Sequence, residues 1–375
     1  MKSLQKSILF LPFLQIPSGH HQVVDALIDE ISEHYPAVTC EKIDILSYSF
    51  GKIEKIISKV YLNWIQVFPN LYNLVYRNSV YKHLEDNKRF WLYECLFIYF
   101  MRKLLKEKKP DLIICTHALP SYMVNCLKKR KQVQIPVINI YTDYFIHCFW
   151  GIENIDFHFV ASTPMKNYLN QKGIGNENIF ITGIPIHRKI RKQTQTPEQK
   201  SIASVLIAGG NLGVGGMEKV IQQILKSEQT QGIRFYVLCG KNRNLYNKLS
   251  HLGHPSIIPL PYLECKEKLN ALYDHIDAIL TKPGGVTISE SLFKRKPIFI
   301  YDALPGQEEI NRCELQDLGV VFVLDKKRAL EQFLQMFQNQ ADMRKYYSQI
   351  DAFHSHLSAK KPLDVITDIL IRETT

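Results

Sequence analysis

One rhythm, begun twice, constrains this chain more than any other feature. Short apolar runs alternate with stretches of helical periodicity. They mark strand candidates at 7–14, 39–46, 111–116, 137–142, 156–161 and 179–182, with a helix over 20–33 after the first. Continuous runs such as Leu112-Ile113-Ile114 suit strands covered on both faces. Alternation of this kind predicts a parallel, doubly wound sheet. Residues 188–201, which include Arg191-Lys192-Gln193-Thr194-Gln195-Thr196-Pro197, carry no apolar periodicity and read as a linker. The pattern then restarts, with strands expected at 204–208, 234–239, 257–259, 278–281, 298–301 and 320–324, and a helical tail over 342–372.

The expectation is therefore an α/β protein with two Rossmann-like, doubly wound parallel-sheet domains. A length of 375 residues agrees, at roughly 150 residues per domain. The first domain is placed at 1–190, the linker at 191–203 and the second domain at 204–345. Residues 346–375 are expected to return and pack on the first domain. Residues 51–109 break the rhythm. They hold few strand signals, many aromatics, and twelve Lys/Arg against five Asp/Glu. A helical insertion is expected there, and its Trp64, Trp91 and basic residues suit either an anionic membrane surface or a buried helical layer with a basic outer face.

Composition narrows the partners. The net charge of +11 favours anionic ligands such as nucleotide phosphates, nucleic acid or acidic lipid. The basic residues are spread out and form no recognised DNA- or RNA-binding signature, so nucleic acid is not expected. The eight cysteines form no C-x-x-C pair, which suits a reducing compartment without structural zinc. Residues 1–14 lack a small-residue cleavage site and read as the first strand. No apolar run approaches the ~20 residues needed to span a bilayer. A cytoplasmic location is expected, peripheral on the inner face of the membrane.

The chemistry sits in loops after strands, where open α/β sheets bind ligands. Ile16-Pro17-Ser18-Gly19-His20-His21 follows the first strand. A histidine there, with an ordinary pKa of ~6.5, suits taking a proton from an alcohol; alone, it equally suits a helix start with no chemical duty. Ala208-Gly209-Gly210-Asn211-Leu212-Gly213-Val214-Gly215-Gly216 opens the second half, and its five glycines let backbone N–H groups approach phosphate, or simply make a tight turn. Thr281-Lys282-Pro283-Gly284-Gly285 precedes a helix from Val286, a natural anion site. Glu290, one turn on, can accept from a ribose diol. Leu304-Pro305-Gly306-Gln307-Glu308-Glu309 places an amide and carboxylates at another helix start, for sugar hydroxyls or for capping. No D-x-D-type metal pair stands at a donor loop.

In this order the motifs are much more specific than singly. The chain resembles the processive diacylglycerol glucosyltransferases of Gram-positive bacteria and the plant monogalactosyldiacylglycerol synthases, which belong with the bacterial peptidoglycan GlcNAc transferase in one inverting GT-B family. The markers are Gly19-His20, Tyr141-Thr142-Asp143-Tyr144 with His147 and Trp150, Thr182-Gly183-Ile184-Pro185, Cys239-Gly240-Lys241-Asn242, Thr281 through Thr287 with Ser289-Glu290, and Pro305-Gly306-Gln307-Glu308 with Asn311. The first loop departs from its relatives, which carry more glycine than Pro17-Ser18-Gly19-His20.

The resemblance implies two domains facing a central cleft and transfer of a hexose from a UDP-sugar to diacylglycerol or a glycosyl-diacylglycerol. His20 matches the acceptor-activating base. Gly284, Gly285, Val286 and Thr287 match the diphosphate turn, with Gly210 and Asn211 facing it. Glu290 matches the ribose contact and Gln307 and Glu308 the sugar contacts. Gly240 and Leu263 fall at the uracil pocket. Gly19, Asp143, His147 and Trp150 fall on the acceptor side. No metal or cofactor is implied. The same fold also serves transferases with other acceptors and UDP-GlcNAc 2-epimerases.

Overall fold

The computed structural model describes residues 6–13, 19–51, 90–194, 204–210 and 216–372. The sequence candidates at 14–18, 52–89, 195–203 and 211–215, Asn211 among them, lie outside the described residues. The chain divides into two compact units. One comprises Met1–His187 and His356–Thr375, the other Arg188–Ser355.

The first unit is built on a parallel sheet of six described strands. These are β1 (Ser7–Leu11), β2 (Thr39–Lys42), β3 (Leu112–Cys115), β4 (Val137–Ile140), β5 (Phe157–Val160) and β6 (Ile179–Ile181), in spatial order β2-β1-β3-β4-β5-β6. Leu9, Leu11, Ile113 and Cys115 share a core with Met101, Leu104, Met123 and Val124. The intervening Ile8, Phe10, Leu112 and Ile114 are equally buried. Side chains alternate along a strand, so both faces of the sheet are covered. That is why these runs are continuous rather than alternating in sequence.

Interleaved helices supply the cover: α1 (Gly19–His34), α2 (Ile45–Phe50), α3 (Trp91–Lys108), α4 (Ala118–Lys129) and α5 (Thr163–Gln171). Asp44 caps α2 by accepting from the N–H groups of Leu46 and Ser47. Among the described residues no helix is long and apolar enough to cross a membrane.

The second unit repeats the plan with six described parallel strands. They are β7 (Ser204–Ala208), β8 (Arg234–Leu238), β9 (Ile257–Leu260), β10 (Ala278–Thr281), β11 (Ile298–Ile300) and β12 (Phe322–Val323), in spatial order β12-β11-β10-β7-β8-β9. Its helices run α6 (Met217–Lys226), α7 (Arg243–Leu252), α8 (Lys266–His275), α9 (Gly285–Phe293), α10 (Gln307–Asp317), α11 (Ala329–Gln338) and α12 (Gln340–Ser355).

The tail is two helices with different allegiances. Helix α12 stays with the second unit. Tyr346, Ile350 and Phe353 are buried there, and Tyr346 Oη donates to the Lys296 carbonyl at 2.8 Å. Only the chain after Ser355 belongs to the first unit. Ser358 N–H donates to the Ile181 carbonyl at 2.7 Å, extending the edge beside β6. Helix α13 (Pro362–Arg372) then lays Leu363, Ile366 and Leu370 beside Ile31 of α1 and Tyr35 just after it.

In each sheet the strand order reverses once. Helix α1 leaves β1 toward β2 on one side, while β3 flanks β1 on the other, in register Leu11 with Cys115. In the second unit β7 lies between β8 and β10, with Ala208 opposite Thr281. The carboxyl ends of these strand pairs are the topological switch points of the two units, where connecting segments diverge and leave a crevice.

Gly151 fixes the segment that carries the acceptor-side residues. Its carbonyl accepts from Asn139 Nδ2 at 2.7 Å and Ser121 Oγ at 3.2 Å. A Cβ there would lie 2.4 Å from Asn125 Cβ and 2.6 Å from the Ser121 carbonyl oxygen. Gly151→Ala is expected to destabilise the protein by about 1–3 kcal/mol through overpacking, read as a lower urea midpoint; an unchanged midpoint contradicts the constraint.

Candidate active site

The switch point of the first unit holds a cluster of histidines. His20 is the second residue of α1, half-buried just beyond the carboxyl end of β1. Its Nδ1 lies 2.7 Å from the Thr116 carbonyl at the end of β3 and 2.8 Å from Thr142 Oγ1 beyond β4. A carbonyl oxygen only accepts, so Nδ1 carries the proton and the Thr142 oxygen takes a share of the same N–H. The Nε2 lone pair is thereby left as the basic site. Burial is the main effect on this imidazole and lowers its pKa; the Asp143 carboxylate and the Thr116 carbonyl oppose that, and His21 adds to it. Burial thus leaves His20 a neutral imidazole at neutral pH, and the Thr116 carbonyl fixes which of its nitrogens is basic.

The other acceptor-side residues gather around it. Asp143 acts electrostatically on His20. His147 is half-buried, and burial holds its pKa down to about 3. Trp150 is buried, packed on Tyr141 with ring centroids 4.5 Å apart and on His147 at 6.3 Å. It supports the His147 turn from within. Gly19 opens α1 directly before His20. Sequence reasoning missed His117, whose ring lies edge-on to His20 at 4.9 Å and stacked on Phe13 at 4.7 Å. The signal was present, a histidine directly after the strand 111–116.

The switch point of the second unit holds the glycine turns. Gly210 follows β7 with φ +75°, a left-handed conformation that favours glycine. Across the register, Lys282-Pro283-Gly284 follows β10, and Gly284 caps α9 with no side-chain partner. The N–H groups of Gly285, Val286 and Thr287 fall in the first turn, where a helix offers them no acceptor of its own. With the helix dipole, they stabilise an anion by about 0.3–1 kcal/mol, and up to ~2 kcal/mol when partly buried.

Around this turn the chain ties its loops together. Asn311 Nδ2 of α10 donates to the Pro283 carbonyl at 3.2 Å. Buried Lys282 donates to Glu308 Oε1 at 2.9 Å, and the Leu304 N–H donates to Glu308 Oε2 at 2.7 Å. Glu308 thus holds the 304–308 turn against β10 while each oxygen keeps a further lone pair. Gln307 stands beside it, half-buried, as the first residue of α10.

Glu290 is not a solvated helix carboxylate. It is 4% exposed. Tyr273 Oη donates to its Oε2 at 3.0 Å, and Lys266 Nζ lies 3.9 Å from Oε1. Burial raises the Glu290 pKa, against the pull of Lys266 and Tyr273. Tyr262 is close enough to feel the Glu290 charge. Lys241 Nζ sits over the Tyr262 ring at 5.6 Å, so the Gly240 turn after β8 and the Tyr262-Leu263 turn after β9 are joined beside Glu290. Gly210, Gly284, Glu290, Gln307, Glu308, Gly240 and Leu263 therefore all lie at the carboxyl end of one sheet.

Three comparisons bear on this arrangement. A family model described as monogalactosyldiacylglycerol (MGDG) synthase matches residues 20–186. The glycosyltransferase YkoN of Bacillus subtilis (strain 168), itself uncharacterized, is 41% identical over 372 residues, 98% of either chain. A processive diacylglycerol beta-glucosyltransferase of the same organism is 26% identical over 369 residues, 95% of this chain and 93% of that one. Among solved structures, Medicago truncatula UGT71G1 complexed with UDP-glucose shares the fold with a TM-score of 0.60 at 11% identity, covering 100% of this chain and 99% of that one.

The buried carboxyl gives a pH test. A raised folded pKa means the folded state binds the Glu290 proton more tightly than the unfolded chain does. Its contribution is fully present below the ordinary carboxylate range and is lost as pH rises through the raised value. Relative to Glu290→Gln, the parent protein should lose stability across that window, measured as the difference in urea midpoints at successive pH values. A difference that does not change with pH contradicts this account.

Proposed function

This chain belongs to the diacylglycerol glycosyltransferase family of GT-B glycosyltransferases, and from that premise we propose that it moves a hexose, with inversion, from a UDP-sugar to a hydroxyl of diacylglycerol or a glycosyl-diacylglycerol. The observation that carries the reading is the fixed tautomer of His20. Its Nδ1–H is committed to the Thr116 carbonyl, so Nε2 faces the reaction as a base. The relative named for diacylglycerol glucosylation and the likeness to a fold seen with UDP-glucose support the choice of acceptor and donor.

In this mechanism His20 Nε2 takes the proton of the acceptor hydroxyl as that oxygen bonds to the anomeric carbon. The bond from the anomeric carbon to the diphosphate breaks on the opposite face, and its electron pair leaves with UDP. The departing diphosphate gains charge against the Gly285–Thr287 N–H groups and the α9 dipole, where preorganised donors act most strongly. The Gly210 turn adds backbone donors. Glu290, held by Tyr273 and Lys266, accepts from the ribose diol. Leu263 and the Gly240 turn flank the uracil. Gln307 and Glu308 meet the sugar hydroxyls. These groups supply the leaving-group stabilisation without a metal or other cofactor.

A peripheral, cytoplasmic-leaflet site of action suits a lipid acceptor. Helix α3 exposes Trp91, Tyr93, Leu96 and Tyr99, and carries Lys103, Lys106 and Lys108 toward its far end. Such a combination inserts aromatic side chains at an anionic lipid surface. Trp91→Ser with Tyr99→Ser should reduce co-flotation with vesicles containing phosphatidylglycerol, and equal flotation removes the helix from that role.

The catalytic assignment is tested by product analysis with labelled UDP-glucose and diacylglycerol vesicles. His20→Ala should lower turnover by about 10²–10⁴-fold while UDP affinity in calorimetry stays within a few-fold. Turnover of the unaltered protein should persist in EDTA. Conversion of UDP-GlcNAc to UDP-ManNAc without labelled lipid would replace transfer by epimerisation.

A further inference from the structure

The base has two neighbours of the same residue type in the opposite tautomer. The Leu119 N–H donates to His117 Nδ1 at 3.2 Å, where His117 caps α4. The Phe149 N–H donates to His147 Nδ1 at 3.3 Å. A ring nitrogen that accepts an N–H has no proton of its own, so in both residues the proton is on Nε2. Burial lowers the pKa of both, and the three imidazoles act on one another electrostatically, so the cluster stays neutral. One switch point therefore holds a basic Nε2 on His20 and Nε2–H donors on His117 and His147.

We propose that His117 is an acceptor-binding residue. Its Nε2–H donates to an oxygen on the carbon adjacent to the hydroxyl that His20 deprotonates. The His20 and His117 ring centroids are 4.9 Å apart, and the rings meet edge to face at 78°. Rings this close bring both imidazoles within reach of neighbouring oxygens of one small ligand. A proton acceptor next to a proton donor complements a hydroxyl beside an ester or hydroxyl oxygen. The site thus selects alcohols with oxygens on adjacent carbons, as in a 1,2-diacylglycerol or a sugar diol, over simple long-chain alcohols. Neutrality matters here. A cationic His117 would lose the Leu119 N–H bond that caps α4 and would oppose protonation of His20 during transfer.

The proposal rests on the transfer reaction set out above, and two substitutions separate its parts. Asn can replace the Nδ1 acceptor and remains a good helix cap, but it lacks the distal N–H. Gln can place an N–H near the Nε2 position but gives up the cap. His117→Asn should keep Tm and the KM for UDP-glucose. It should lower kcat/KM for 1,2-diacylglycerol and for an alkyl glucoside by roughly tenfold, and leave that for a long-chain mono-alcohol within twofold. His117→Gln should lower Tm yet keep the preference for the adjacent-oxygen acceptors.

The two adjacent-oxygen acceptors distinguish a glycerolipid from a sugar as the source of the diol-like group. An equal loss on all three acceptors, or no loss on any, overturns the assignment. So does a preference kept by His117→Asn and lost by His117→Gln. If the unaltered protein glycosylates none of the three, the transfer reading itself fails; if it does and His117→Asn is indifferent, only this inference fails.

Discussion

The backbone pairing of β1 with β3, and of β7 with β10, is the constraint on which the rest depends. A parallel sheet forces each connection over a face, and a reversal of strand order sends successive connections in opposite directions. Between them the strand ends are open to a ligand. In the first unit that pairing brings Thr116 to His20, 96 residues away in sequence. In the second it sets Gly210 and the Lys282-Pro283-Gly284 turn at neighbouring strand ends. Neither arrangement is a property of a local motif.

On this frame, burial and a fixed partner decide what each ionisable group can do. His20 and Glu290 both lose solvation, and in both burial is the leading influence on protonation. What differs is the partner. Burial keeps His20 neutral, and the carbonyl at Nδ1 fixes which nitrogen is basic. A phenol and a more distant ammonium hold Glu290 as an acceptor without a tight ion pair. Low dielectric strengthens both sets of contacts. In the proposed transfer the same setting would stabilise charge that develops at the α9 N-terminus.

Much of this was legible in the sequence because it is locally encoded. Eleven of the twelve described strands are short, mostly apolar runs, the exception being the edge strand β2, Thr39-Cys40-Glu41-Lys42, and the glycines at 210, 216 and 240 stand where a left-handed backbone favours them. The partners were not legible. Tyr273 and Lys266 approach Glu290 only because α8 packs beside α9, and helical periodicity does not reveal which helices are neighbours. His117 looked like any strand-end residue until β3 was paired with β1. The tail shows the same limit. Helices α12 and α13 both carry an apolar face, and it is the contacts of α12, with Tyr346, Ile350 and Phe353 buried and Tyr346 bonded to the Lys296 carbonyl, that assign it to the second unit. Trp150, expected on the acceptor side, is buried against Tyr141 and beside His147, contacts that the sequence did not reveal.

The glycines show how structure separates two demands that one letter conceals. At Gly216 the backbone is left-handed, φ +68°, and a Cβ would meet Asp302 Oδ2 at 2.4 Å, so the fold itself requires glycine. Gly284 is different. Its φ of −80° suits any residue, and among the described residues a Cβ there would meet no atom within 4 Å. Nothing in the packing of the described residues asks for glycine at 284, at the mouth of a helix whose first N–H groups need an external acceptor. A missing Cβ there would let an oxyanion come directly against those backbone N–H groups, which is the part proposed for this turn in holding the donor diphosphate.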